Sequence, residues 1–248
     1  MTAAMNVLVT GAAGFLGRRL CESLLAAPGD RLSKVVAVDT TLCPIEHPRV
    51  DCRIGSVTDA EFIVSAAGEE PDVVFHLAAV LSGEAEAEFD LGMSVNVGGT
   101  RNLLEACRRL HRPPRFVFSS TLAVYGGSLP EVVAEDDPIQ PESSYGAAKA
   151  IAEILVSEYS RRGFIDGVVC RLPTVAVRPG RPNSALSSFV SGIIREPLAG
   201  IDAVCPVPLD TRMWISSPDV TIRNLLHAAS LQTSELQGRR MLNLPGLR

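Results

Sequence analysis

The sequence predicts an α/β fold, a doubly wound parallel sheet with a small lobe at its C-terminal side. Short apolar runs rich in β-formers alternate with longer segments of helical period, the pattern of parallel strands joined by crossover helices. The runs are continuously apolar rather than alternating, so both faces of the sheet must be covered. The first run is followed at once by a glycine-rich turn that opens a helix.

In chain order, strands are expected at residues 5–9, 34–38, 50–54, 73–76, 115–119 and 167–171, each a short run of Val, Ile, Phe and Leu. Helices are expected at 14–25, 59–67, 95–110 and 145–161. In the third of these, Leu103, Leu104, Cys107 and Leu110 form one stripe while Arg101, Glu105 and Arg109 face away, so that helix lies on the sheet. Past Arg171 the alternation fails, because Pro173, Pro179, Pro182, Pro197, Pro206, Pro208 and Pro218 interrupt every run. A short helix is expected at 183–195. A second starts at Ser217-Pro218-Asp219, where an N-cap serine, proline at N1 and an acid in the first turn coincide. The chain therefore divides into a regular α/β part, 1–172, and a mainly irregular lobe, 173–248. Since no closing element follows the strand and turn near residue 243, the lobe is expected to lack its C-terminal end.

The 248 residues are 46% apolar and 21% charged, an ordinary globular composition able to bury a sizeable core. A net charge of −5 with scattered basic residues leaves no footprint for nucleic acid. The longest apolar run, 73–81, contains His76 and falls far short of the roughly 18 residues of a membrane span. The six cysteines show no metal spacing and read as reduced core thiols; no metal is expected. No signal-peptide pattern opens the chain, and a cytoplasmic location is expected.

The turn after the first strand reads Thr10-Gly11-Ala12-Ala13-Gly14-Phe15-Leu16-Gly17. Its glycines permit a tight turn and close approach of backbone N–H groups to a pyrophosphate at a helix N-terminus. Asp39, about 20 residues on at the end of the second strand, suits the adenosine ribose hydroxyls and repels a 2′-phosphate, which favours NAD over NADP. Ser119, Ser120 and Thr121 end a later strand, and Tyr145 and Lys149 stand four apart on a helix, so ammonium and phenol share a face. A nearby cation would lower the tyrosine pKa and make acid–base work feasible.

Taken together, the glycine turn, His76-Leu77-Ala78-Ala79, the Ser-Ser-Thr segment running to Tyr125-Gly126, and Tyr145 with Lys149 resemble the extended short-chain dehydrogenase/reductase family, the NAD-dependent epimerase/dehydratases. The resemblance implies a Rossmann fold and a catalytic set of Thr121, Tyr145 and Lys149. It implies NAD contacts from Gly11, Gly14, Phe15, Leu16, Gly17, Leu77, Ala78, Ala79 and Ser119, with Asn96 supporting the active-site helix and Pro173 and Thr174 beside the nicotinamide. Where relatives carry an acid for the adenine, this chain has Ser56-Val57, to which the adenine contact is assigned.

The stretch from Arg171 to Asn183, with Arg195 and Arg212-Met213-Trp214, resembles the branch of that family that oxidises the four-carbon sugar acid D-erythronate at C2. A small anionic substrate needs an arginine fork for its carboxylate and hydroxyl groups for its own hydroxyls. Ser120, Arg178 and Arg212 are the candidates, although arginines such as Arg178, Arg181, Arg195 and Arg212 also serve as surface ion pairs, and the single tryptophan, Trp214, suits a core position. Three readings stand: oxidation of a small sugar acid, a nucleotide-sugar epimerase or dehydratase, and a non-catalytic dinucleotide sensor. The partners expected are the sugar acid and a second copy of the chain in a homodimer.

Overall fold

The structure, a computed structural model, describes residues 4–27, 32–180, 185–236 and 238–247. Arg181, Pro182 and Asn183, part of the stretch singled out in the second lobe, lie outside the described residues.

Strands β1 (Met5–Thr10), β2 (Leu32–Asp39), β3 (Val50–Ile54), β4 (Val73–His76), β5 (Arg115–Thr121) and β6 (Asp166–Leu172) match the six expected runs, several of them extended by a residue or two. They form one parallel sheet in the order β3-β2-β1-β4-β5-β6, closed at its edge by β9 (Met241–Asn243). Helices α1 (Phe15–Ala26), α2 (Ala60–Ala67), α5 (Thr100–Cys107) and α6 (Ser144–Arg161) make the crossovers, with α3 (Ser82–Ala87) and α4 (Phe89–Met93) preceding α5.

The sheet is buried on both faces, as its continuous apolarity requires. Successive β1 residues alternate between two cores: Val7 and Val9 pack with Leu20, Leu24, Ile222 and Leu225, while Leu8 packs with Leu103, Leu104, Phe116 and Val156. Of the predicted stripe Leu103, Leu104 and Cys107 are inside and Arg101 and Arg109 outside, while Leu110 is only half-buried and Glu105, expected to face away, is half-buried where it accepts from Tyr159.

Two expectations change. The single helix expected at 95–110 is a composite, in which α4 passes through a π-helical turn at Ser94–Gly99 into α5. The reason is packing: a Cβ at Gly99 would sit 2.4 Å from Val57 Cγ2, and the Asn96 amide is held by the backbone of Val80. Likewise β5 does not stop at Ser119. Its pairing with β6 continues through Ser120↔Arg171 to Thr121↔Leu172, because hydroxyl side chains leave the backbone ladder intact.

Beyond Leu172, β7 (Thr174–Val175) and β8 (Ile215–Ser216) form a small second sheet, with α7 (Phe189–Leu198) between them in sequence. Trp214, at the edge of this sheet, is not a core residue: it is 37% exposed and its ring lies against Gly246. The chain then returns to the main body. Helix α8 (Pro218–Ser230), capped by Ser217 accepting from Val220 N, packs on α1, β5 and β6, and β9 pairs with β6. All six cysteines are unpaired, and no described helix is long and apolar enough to cross a membrane.

Replacing the fully buried Leu103 by Ala should lower unfolding free energy by about 2–5 kcal/mol, while Arg109→Ala on the opposite face should change it by less than about 0.5 kcal/mol. Urea denaturation reads the difference, and equal losses would contradict the assigned faces.

Candidate active site

β1, β2 and β3 run to one side of the sheet and β4, β5 and β6 to the other, so the strand order reverses between β1 and β4. A crevice at the carboxyl ends of the strands is the consequence of such a switch point. Here it is a cavity of about 890 Å³. Its walls bring together Gly11, Gly14, Phe15, Leu16, Gly17, Asp39, Ser56, Val57, Leu77, Ala78, Ala79, Ser119, Ser120, Thr121, Tyr145, Lys149, Pro173, Thr174 and Arg178.

Whether these residues fit a dinucleotide can be read from the glycine turn. Gly11 has φ +75°, and a Cβ there would meet Ala78 N at 2.7 Å; a Cβ at Gly17 would lie 2.0 Å from Gly11 O. The turn is therefore pressed against both its own helix and the segment leaving β4. Helix α1 begins at Gly14 with no side chain capping it and no acid in its first turn, which leaves its N-terminal N–H groups and positive dipole end for an anion. Asp39 Oδ2 accepts from Ala13 N at 3.0 Å, so the carboxylate is held at the turn's edge. The residues present fit NAD.

Thr121, Tyr145 and Lys149 come from β5 and α6. Ser143 caps α6 by accepting from Gly146 N, so the helix begins at the cavity and Tyr145 and Lys149 occupy its first turns. Thr121 Oγ1 accepts from Ala123 N at 3.1 Å, which fixes the hydroxyl oxygen and leaves its proton free to donate. Lys149 Nζ donates to Ser119 O at 2.8 Å and lies 4.6 Å from the Phe118 ring centroid and 5.8 Å from that of Tyr145.

Burial pulls the Lys149 amine down to about 7, opposed by the Glu153 carboxylate. Burial pushes the Tyr145 phenol up to about 12, and the cation that draws it back is Arg178. Lys149, expected to lower the tyrosine pKa, is not among the charges acting on the phenol. Desolvation dominates both groups, and the charge that opposes it is Glu153 for the amine and Arg178 for the phenol.

Three further assignments change. Asn96 does not reach the cavity; its amide takes Val80 N at 2.8 Å and gives to Val80 O at 3.1 Å, so it shapes the wall from behind. The Ser120 hydroxyl donates to Glu153, so towards a substrate it can only accept. Arg212 is an outside residue, its side chain 68% exposed and 3.4 Å from Glu131, because the segment before β8 is irregular and runs over the surface. Arg178 stays on the cavity wall, its backbone held by Ser191 Oγ and Arg195, and among the described residues no carboxylate pairs with its guanidinium.

The sequence reading missed Glu153 and the role of Arg171. Glu153 is fully buried, grips Arg171 through Nε and Nη2, and accepts a hydrogen bond from Ser120. Its signal was available, since Glu153 stands four residues after Lys149 on the same helix face.

Fold and site together define a nucleotide-dependent α/β enzyme whose hydroxyl, phenol and amine converge on one crevice. The model of the NAD dependent epimerase/dehydratase family matches residues 7–230, and the chain belongs to that family, whose cofactor is NAD. It is 50% identical to a D-erythronate dehydrogenase of Cupriavidus necator and 45% to one of Haemophilus influenzae, each match covering 98% of this chain and 78% of the relative. Its fold superposes with a TM-score of 0.92 on a solved Agrobacterium tumefaciens structure described as a nucleoside-diphosphate-sugar epimerase, at 40% identity, covering 98% of this chain and 74% of that one.

The depressed Lys149 pKa has a stability consequence. Between about pH 7 and the ordinary lysine value of 10.5 the unfolded chain binds more protons at this position than the folded one, so stability from Lys149 rises with pH across that window. In urea titrations of the NAD-free protein, the wild type should gain on Lys149→Met as pH rises from about 7 to about 10. A constant difference would contradict the desolvated amine.

Proposed function

We propose that the chain catalyses NAD-dependent oxidation of the C2 hydroxyl of a small sugar acid, D-erythronate to its 2-oxo acid being the first candidate. NAD, when bound, supplies the hydride acceptor. The observation that carries the reading is Arg178, a cavity-wall cation that shares the crevice with Thr121 and Tyr145 and meets no carboxylate among the described residues. A substrate carboxylate taken from water without a partner would cost several kcal/mol, and a guanidinium fork offsets that cost while fixing orientation.

With the carboxylate on Arg178, the neighbouring hydroxyl falls to Thr121 and Tyr145. Thr121 donates to the reacting oxygen and Tyr145 takes its proton. Arg178 favours the phenolate form, opposing the burial that pushes the Tyr145 phenol up. Lys149, held by Ser119 O, completes the site from the cofactor side. The two dehydrogenase relatives support the substrate class. Exposed apolar side chains on two adjoining helices, Phe89 and Leu91 on α4 and Ile151 and Ile154 on α6, support a second copy of the chain as the protein partner. A cytoplasmic setting belongs to the same reading and agrees with six unpaired cysteines.

The second reading, a nucleotide-sugar epimerase, is favoured by the description of the Agrobacterium structure. A non-catalytic sensor has no use for an assembled Thr121, Tyr145 and Lys149. A screen of four- to six-carbon aldonates and of nucleotide-sugars, following NADH absorbance and product epimers, separates the three. Turnover of an aldonate is expected, with Tyr145→Phe reducing it by about 10²–10⁴ and leaving NAD affinity nearly intact. Epimerised nucleotide-sugar without NADH release would replace the proposal.

A further inference from the structure

His76 is fully buried at the end of β4, its ring between Phe116 and Phe118 at centroid distances of 6.1 and 5.6 Å, and the reaction proposed above makes no use of it. Its hydrogen bonds can be given directions by counting protons. Thr100 has one hydroxyl proton, and its Oγ1 gives that proton to Asn96 O at 2.7 Å. Towards His76 Nε2, 2.9 Å away, Thr100 can therefore only accept, so Nε2 carries the ring proton. A neutral imidazole has one N–H, hence Nδ1 accepts, and the Thr10 hydroxyl 2.7 Å away must be its donor. Thr10 Oγ1 keeps its lone pairs for Ala78 N at 3.4 Å. The ring is held neutral, its pKa pulled down to about 3 by burial and secondarily by the Lys149 charge.

The chain of bonds is thus consistent in only one sense: Ala78 N–H to Thr10, Thr10 to His76, His76 to Thr100, Thr100 to Asn96. Asn96 in turn clamps the backbone of Val80 through both its amide atoms. At one end Ala78 meets Thr10, the residue before Gly11, and at the other Asn96 holds Val80, so the chain ties the start of the glycine turn to both ends of the 78–80 wall of the crevice. We propose that His76, fixed as the Nε2–H tautomer, is a positioning residue for NAD that sets the spacing between the glycine turn and the 77–80 wall. A wall already set before binding spares the ordering cost at the moment NAD enters.

Thr10→Val and Thr100→Val keep side-chain shape and each leave one imidazole nitrogen without a partner. Calorimetric titration should show NAD affinity weakened about tenfold or more in each. KM for NAD should rise with kcat at saturation little changed, and Thr→Ser at either position should restore affinity. In the double variant the two losses should be less than multiplicative, since one broken link already frees the chain. Independently of any variant, nitrogen NMR of histidine-labelled wild-type protein without NAD should show His76 as the Nε2–H tautomer, unchanged from about pH 5 to about pH 8. An Nδ1–H or doubly protonated ring overturns the proposal, as do folded valine variants that lose thermal stability while binding NAD normally.

Discussion

In the interior, Glu153 and Arg171 meet with side-chain exposures of 0% and 2%. Arg171 Nε lies 3.0 Å from Glu153 Oε1 and Nη2 lies 2.7 Å from Oε2, a two-pronged contact between α6 and β6. Every remaining polar atom of the pair is also taken: Ser120 on β5 donates to Glu153, and Arg171 Nη1 donates to Tyr125 and to Glu135 O. Such a pair adds little net stability over apolar residues, yet removing one partner strands a charge at a cost of about 3–5 kcal/mol. Its effect here is registration. One contact fixes the rotation of α6 and the ends of β5 and β6, and therefore the positions of Tyr145, Lys149, Ser119 and Thr121.

The electrostatics of the crevice follow from that registration. Lys149 sits one turn before Glu153 on α6, over the Phe118 ring, in surroundings that disfavour its charge. The Glu153 carboxylate, itself neutralised by Arg171, raises the Lys149 pKa only partly. Tyr145, a further turn toward the cavity mouth, is desolvated by the same packing and feels Arg178 instead. In the proposed reaction one arginine thus has two effects, because the cation that orients a substrate carboxylate also bears on the phenol that takes the proton. Neither effect requires a mobile element, since the residues concerned lie on a strand end, a helix start and a segment braced by Ser191 and Arg195.

Most of the fold was legible because its signals are local. The apolar runs, the glycine turn, the helix carrying Tyr145 and Lys149 and the Ser217 cap all depend on neighbours within a few residues, and the structure has them where the spacing put them. What the sequence did not disclose depends on distant partners. The Ser120 proton is already engaged only because Glu153 waits behind it on α6. Asn96 reads as a support for the active-site helix until its amide is seen to hold the Val80 backbone instead. Arg212 could not be separated from Arg178 by pattern, since the proline-broken segment carrying it has no period to say which side faces inward. The π-helical turn was hidden as well, because Gly99 and Val57 meet only after the chain has crossed the sheet.

The central claim is that Arg178 reads a substrate carboxylate beside Tyr145. The most direct measurement compares kcat/KM for D-erythronate with that for a neutral four-carbon polyol of the same stereochemistry, in the wild type and in Arg178→Met. The account predicts a preference for the acid of about 10²-fold or more in the wild type, nearly abolished in the variant, with KM for NAD little changed. A variant that keeps the full preference for the acid would contradict it.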